Sequence, residues 1–156
     1  MEHLPVIRFF LFFLLLFLSA FFSAAEIALF SLSPAQVDIL KEKKGNAGKL
    51  VAAMLAAPRR LLVTIYVGNE LINVAIAAVA TVIAMHFFKE YAVVFSVGVG
   101  TFMLIIFGDI TPKTFALKHA EKFSLYAIKP LSLFSKLVDP FVRSVTWIVN
   151  KILEAA

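Results

Sequence analysis

Three long apolar runs dominate the chain, at about residues 5–30, 61–88 and 91–115, and charged residues are sparse inside them. An α-helix rises ~1.5 Å per residue, so about 20 residues cross the ~30 Å hydrocarbon core of a bilayer. Each run is long enough to do so. The pattern therefore predicts an all-α integral membrane protein with three transmembrane helices.

A polar segment at about residues 33–57 separates the first run from the second. Ser33 followed by Pro34 is typical of a helix start. Gly45 and Asn46 are typical of a helix end, and a second short helical pattern follows them. We therefore predict a cytosolic hairpin of two short helices between the first two spans.

The tail, about residues 123–153, is apolar but carries a polar residue at every seventh position. This stripe consists of Lys122, Lys129, Lys136, Arg143 and Asn150. Seven residues make two helical turns, so the pattern predicts an amphipathic helix, kinked at Pro130 and Pro140. We expect a juxtamembrane belt helix on the membrane surface. The alternative, a fourth span, would place Lys136 or Asp139 in lipid.

Composition and charge agree with a membrane location and set its orientation. Hydrophobic residues make up 62% of the 156 residues and charged residues 16%, which excludes an ordinary soluble domain. Thirteen of the fifteen Lys and Arg residues lie between the first two spans or after the third, which three spans place on one side of the membrane. The other two, Arg8 and Lys89, lie on the opposite side. The positive-inside rule then predicts a multi-pass protein of the plasma or inner membrane, with its N-terminus outside and its C-terminus cytoplasmic.

Three features argue against other interpretations of the same composition. The apolar run at 9–25 is longer than a signal-peptide core, so we expect no cleavage there. The net charge of +5 reflects topology, and we expect no nucleic acid partner. The chain has no cysteine and no evident nucleophile–base pair, so we expect that it is not an enzyme.

Polar residues inside the runs are the candidates for function, because polar groups at membrane depth normally face protein. Ser19, Ser23 and Glu26 share one face of the first helix, by their spacing of four and three. Asn69 and Asn73 share a face of the second helix. Hydrogen bonding to backbone or to another helix is the simpler explanation of the serines, and it explains the asparagines as well as a ligand site does.

The third run contains a Gly-Pro pair four residues apart, Gly108 and Pro112. This spacing should loosen or unwind the helix and free carbonyl groups beside Asp109. The simpler alternative is a helix end at the interface, with Lys113 reaching outwards. Earlier in the run, a small residue recurs after four positions, at Ser96 and Gly100. The simplest interpretation of this pair is close packing against another helix.

Together these groups offer hydroxyl, amide, carboxylate and carbonyl oxygens and no sulfur. Such a set suits Mg²⁺, Ca²⁺ or Na⁺ better than Zn²⁺ or Cu⁺. The residues alone leave the choice among these three ions open.

Three ordered segments give the chain a specific resemblance: SAFFSAAEIALFSL at 19–32, GNELIN at 68–73 and GDITPK at 108–113. In order and spacing they resemble the DUF21 transmembrane domain of the CorC/cyclin M magnesium transporters. The resemblance covers nearly the whole chain. It implies a homodimer that exports Mg²⁺ by alternating access in exchange for Na⁺, with an ATP-binding pair of cystathionine-β-synthase-type (CBS) domains in full-length members. Those domains are absent from this sequence, which therefore resembles an isolated membrane domain.

The resemblance also implies a set of ion ligands. These are Ser19, Ser23, one or both of Asn69 and Asn73, and the pair Gly108 and Asp109. Asp109 would supply the compensating charge, although Glu is commoner at its position. Glu26, Glu70, Pro112 and Lys113 would support or gate the site, with Lys113 as the candidate partner of Glu26.

Two alternatives to Mg²⁺ transport stay open. One is a non-transporting membrane module, in which the polar residues hold a dimer together and the belt helix relays a signal. The other is a Na⁺-selective carrier that uses the same oxygens.

Overall fold

The computed structural model describes residues 3–155, and these residues confirm the all-α prediction. They form two compact units. The first unit contains residues 3–24 and Gly68–Phe115, and the second contains Ala25–Val67 and the described residues from Ala116 onwards.

The described helices follow one another with short connections. In chain order they are α1 (His3–Phe30), α2 (Pro34–Lys43), α3 (Gly45–Leu55), α4 (Pro58–Phe88), α5 (Ala92–Phe95), α6 (Thr101–Met103), α7 (Thr111–Lys118) and α8 (Ala120–Ala155). A 3₁₀ turn at Lys89–Tyr91 follows α4. The π-helical segments Ser96–Gly100 and Leu104–Ile110 join α5, α6 and α7 into one stretch, residues 92–118, which we call the interrupted helix.

Two helical stretches among the described residues are long and apolar enough to cross a membrane, Pro5–Phe30 and Pro58–Lys118. The second has 61 residues, which at ~1.5 Å per residue would exceed a bilayer core about threefold. It reverses direction at the 3₁₀ turn, where Lys89 has a φ of 40°. The rings of Phe88 and Phe95, on either side of that turn, stack with their centroids 3.9 Å apart.

The core of the first unit lies where α1 meets α4. Phe12 and Leu16 of α1 pack in one buried cluster with Ile76 and Ala80 of α4. A Cβ atom at Gly100 would lie 3.3 Å from the Cβ of Ala80, so the glycine lets the interrupted helix approach α4 closely. The seam predicted at Ser96 and Gly100 is therefore a packing contact, as expected.

The second unit contains the hairpin of α2 and α3. Ser33 caps α2 and forms a reciprocal capping box with Gln36, which confirms the predicted helix start. Gly45 adopts a φ of +56° between the two helices. A Cβ at Gly48 would lie 1.8 Å from the carbonyl oxygen of Leu40, so only glycine fits where the helices touch.

The long helix α8 also belongs to the second unit. It continues without a break through Pro130 and Pro140. It buries one face and exposes its stripe of Lys and Arg residues. The buried face consists of Ser124, Ala127, Ile128, Leu131 and Val142.

Charged side chains join α8 to the start of α4. Asp139 is ion-paired with Arg60 and, at 2.6 Å, with Arg143. Arg59 donates to the amide oxygen of Asn150 at 2.8 Å. α4 begins at Pro58, three residues before the start predicted near residue 61. Proline suits the first helical turn, and Arg59 and Arg60 have partners within the second unit.

Candidate cation site

Three side-chain oxygens from two helices meet inside the first unit. Ser19 of α1 is 1% exposed. Its Oγ lies 3.0 Å from Oδ1 of Asn73 and 3.3 Å from Oδ1 of Asn69. We call Ser19 Oγ and these two amide oxygens the oxygen cluster. Since the hydroxyl has one proton to donate, it can satisfy one of the two amide oxygens at a time.

The backbone of the interrupted helix reaches the same place at Gly108. A Cβ atom at this position would lie 3.1 Å from Ser19 Oγ and 2.9 Å from the Cδ1 of Leu104. Gly108 is buried within the π-helical segment Leu104–Ile110. The absence of a side chain therefore allows this helix to touch the oxygen cluster.

The loosening predicted around Gly108 takes the form of a wider helix, not an unwound one. The N–H of Thr111 bonds to the carbonyl of Ile106, five residues back, and α-helical geometry resumes at Thr111. Pro112 has no N–H to offer the carbonyl of Gly108, its α-helical partner four residues back. Proline at this position thus removes the α-helical donor of the Gly108 carbonyl without breaking the helix.

Ser23, one turn after Ser19 on α1, supplies another hydroxyl. It is 1% exposed, and its Oγ has no hydrogen-bond partner among the described residues. A buried polar group without a partner destabilises a fold by ~1–3 kcal/mol. Such a group indicates that a ligand or a water molecule belongs beside it.

Asp109 follows Gly108, and its carboxylate is engaged by a lysine. The Nζ of Lys113 lies 2.7 Å from Oδ1 of Asp109, one helical turn away. The two side chains are 46% and 34% exposed, with Asp109 the more accessible. The residue that follows Gly108 therefore supplies a carboxylate, and the ammonium group of Lys113 is ion-paired with it.

The remaining predicted residues are less close to the oxygen cluster or lie elsewhere. Glu70 is exposed and Pro112 is half-buried. Glu26 belongs to the second unit, so its pairing with Lys113 stays a prediction.

Sequence reasoning missed a polar side chain that lines the same cavity as Asn73. Thr81 lies eight residues after Asn73 on α4, two turns further along the same face, and its hydroxyl oxygen lies 3.5 Å from that of Ser96. Its spacing of eight residues from Asn73, a further two turns along the same helix face, was a signal that could have revealed it.

The fold and the site define a helical membrane protein with an oxygen-lined site between its apolar helices. The chain belongs to the cyclin M family: its residues 10–156 match the cyclin M transmembrane N-terminal domain. This family assignment confirms the resemblance that the three segments indicated.

Its relatives include proteins from bacteria and plants. It is 34% identical over 96% of its length to a UPF0053 protein of Haemophilus influenzae. It is 29% identical over 86% of its length to the inner membrane protein YfjD of Escherichia coli, and 36% identical over 90% of its length to a chloroplastic DUF21 domain-containing protein of Arabidopsis thaliana. The chain covers 35%, 31% and 21% of these proteins.

Proposed function

We propose that this domain transports Mg²⁺ out of the cell, in exchange for Na⁺, by alternating access in a homodimer. The supporting observation is the convergence of Ser19 Oγ with the Oδ1 atoms of Asn73 and Asn69, at 3.0 and 3.3 Å, beside Gly108. Neighbouring ligands of an octahedral Mg²⁺ bound at ~2.0–2.1 Å lie ~2.9 Å apart. A small inward movement of these oxygens would therefore complete three ligands, with Ser23 and the Gly108 carbonyl as two more.

Asp109 would supply the negative charge that a buried dication requires. In the present arrangement Lys113 neutralises it at 2.7 Å. We propose that Mg²⁺ and Lys113 compete for this carboxylate, so that the lysine compensates Asp109 whenever the ion has left. Glu26 and Glu70 would then attract cations to the mouths of the path, and Pro112 would keep the Gly108 carbonyl available.

The proposed topology has three spans: α1, α4 and the interrupted helix. The reversal at Lys89–Tyr91 and the large exposed apolar side chains of the first unit, such as Phe10 and Phe17 at 71% and 70%, support it. The N-terminus would be outside. The exposed basic stripe of α8 supports a position of that helix along the cytoplasmic face. Because the chain spans only about a third of its bacterial relatives, CBS-type cytosolic domains would complete the whole protein.

The arrangement of the oxygen cluster also bears on the alternative of a non-transporting module. Its three oxygens hydrogen-bond within one chain. The cluster therefore lies inside one subunit, which favours an internal ion site over a dimer seam as its role.

Transport by the purified chain in liposomes tests the proposal. Vesicles loaded with Mg²⁺ and a Mg²⁺ indicator should lose Mg²⁺ when Na⁺ is added outside. Ser19→Ala should slow this efflux at least tenfold, because a contact with a charged group contributes ~1.5–3 kcal/mol. Ser124→Ala is the matched control, since Ser124 is equally buried, has no partner among the described residues and lies in the second unit.

Three outcomes would contradict the assignment. Efflux by Ser19→Ala at the wild-type rate would remove Ser19 from the site. A wild-type protein that dimerises but neither binds nor moves Mg²⁺ would favour the non-transporting module. Na⁺ flux without Mg²⁺ flux would favour a Na⁺ carrier.

A further inference from the structure

A second polar cavity lies beside the oxygen cluster, between α4 and the interrupted helix, within the first unit. Its volume is about 110 Å³, enough for several water molecules or for an ion with part of its hydration shell. Its polar side chains are Asn73, Thr81, Ser96 and Thr101. Of these, only Asn73 also belongs to the oxygen cluster.

Two hydroxyl groups in this cavity donate hydrogen bonds to carbonyl groups of their own helices. Thr81 Oγ1 donates to the carbonyl of Ala77 at 2.8 Å, four residues back. Ser96 Oγ donates to the carbonyl of Val93 at 3.1 Å, three residues back. The two oxygens lie 3.5 Å apart, at the distance limit of a hydrogen bond from Thr81 to Ser96. Each hydroxyl oxygen carries two lone pairs, so a cation between them could use one from each.

The spacing of these oxygens indicates the size of that cation. Neighbouring oxygens around an octahedral ion bound at ~2.3–2.6 Å, the range of Ca²⁺ and of the similarly sized Na⁺, lie ~3.3–3.7 Å apart. The 3.5 Å between Thr81 Oγ1 and Ser96 Oγ falls in that range. Mg²⁺ would draw its ligands to ~2.9 Å.

The charge of the cavity decides between the two larger ions. Its lining residues are all neutral. A divalent ion among neutral ligands in an apolar surrounding would be uncompensated and therefore strongly disfavoured. A monovalent ion needs less compensation. It can be held by hydroxyl, amide and backbone oxygens, such as those near the π-helical segment Ser96–Gly100.

We propose that this cavity binds a monovalent cation of the size of Na⁺, with Thr81 Oγ1 and Ser96 Oγ as its ligands. Asn73 borders both this cavity and the oxygen cluster. If the oxygen cluster binds Mg²⁺ as proposed above, one amide side chain lies between the two ions, and each ion changes the affinity for the other. Only this coupling rests on the proposed transport function, whereas the monovalent site stands without it.

Ion-dependent thermal unfolding of the purified chain in detergent tests the site. NaCl replaces choline chloride at constant ionic strength, and the rise in Tm gives the Na⁺ affinity. Wild type should respond to NaCl, and to KCl more weakly. The double variant Thr81→Val/Ser96→Ala should lose at least tenfold in Na⁺ affinity. Thr146→Val is the matched control, because Thr146 donates to a carbonyl four residues back at 2.7 Å but lies on α8.

Several results would overturn the proposal: no Na⁺ response in wild type, an unchanged response in the double variant, or an equal response to KCl and NaCl. If the double variant fails to fold, Thr81→Ser and Thr81→Val decide the question. The serine retains the oxygen and should retain Na⁺ binding, and the valine should lose it.

The Mg²⁺ response of the same samples separates this proposal from the transport function. Ser19→Val should lose the rise in Tm with MgCl₂ and keep the rise with NaCl. A wild-type protein that responds to Na⁺ but not to Mg²⁺ would refute the Mg²⁺ site and leave the monovalent site intact.

Discussion

The oxygen cluster of the first unit and the ion pairs of Asp139 in the second hold polar side chains in opposite ways. In the first, the oxygen cluster is neutral, and Ser19 at its centre is buried. In the second, Asp139 joins Arg60 and Arg143, whose side chains are 49% and 74% exposed. Buried neutral oxygens that outnumber their donors can accept a cation. Exposed charges that already neutralise one another stabilise a fold, and only modestly.

Asn73→Leu should have the largest effect on the first unit, since the substitution removes the shorter contact to Ser19 and keeps the side-chain volume. We expect Mg²⁺ affinity to fall ~10- to 100-fold, as loss of a contact to a charged group contributes ~1.5–3 kcal/mol. Calorimetric titration with MgCl₂ measures the change. Asn69→Leu, which removes the 3.3 Å contact, should lose less. A larger loss in Asn69→Leu would reverse the assignment of the closer ligand.

Gly108→Ala should come next. The added Cβ would lie 3.1 Å from Ser19 Oγ and would displace it by a few tenths of an ångström. Because Mg²⁺ requires near-ideal octahedral geometry, we expect a roughly tenfold loss of Mg²⁺ affinity. Gly98→Ala on the same helix is the control, since its Cβ would meet no atom within 4 Å. If both variants bind Mg²⁺ equally well, Gly108 does not border the ion.

Lys113→Gln should strengthen Mg²⁺ binding. It removes the ammonium group that lies 2.7 Å from Asp109 and would compete with the ion. A partly exposed pair of this kind contributes ~0.2–1 kcal/mol, so Mg²⁺ affinity should rise up to about fivefold. Lys118→Gln, an exposed lysine at the end of α7, provides the comparison. Weaker binding by Lys113→Gln would show that the lysine supports the site instead of competing for it.

Asp139→Asn should have the smallest effect and should act on the second unit alone. It removes the carboxylate charge that Arg60 and Arg143 share, and both arginine side chains are exposed. We expect a loss of about 1 kcal/mol or less in the free energy of unfolding, shrinking as salt is added. Thermal unfolding at low and high NaCl measures it. A changed Mg²⁺ affinity in this variant would mean that the ion pairs of the second unit influence the cation site of the first.

Local chemistry explains which parts of the fold could be predicted from sequence. The start of α2 follows from Ser33 and Pro34, and its end from Gly45, because capping and left-handed backbone depend on neighbouring residues. The backbone conformation around Gly108 could be predicted from the sequence only in part. A Gly-Pro pair weakens an α-helix, but the pair alone does not decide between unwinding and the π-helical segment that the structure shows.

The sequence by itself determined that this is a helical membrane protein and which family the chain belongs to, since these depend on composition and on the spacing of motifs along one chain. Only the tertiary structure decided which polar groups meet. Ser19 lies 50 and 54 residues from Asn69 and Asn73, and helical periodicity fixes the face of a residue but not its partner on another helix. The same limit applies to Thr81 and Ser96. Their oxygens face each other because α4 and the interrupted helix pack closely at Gly100.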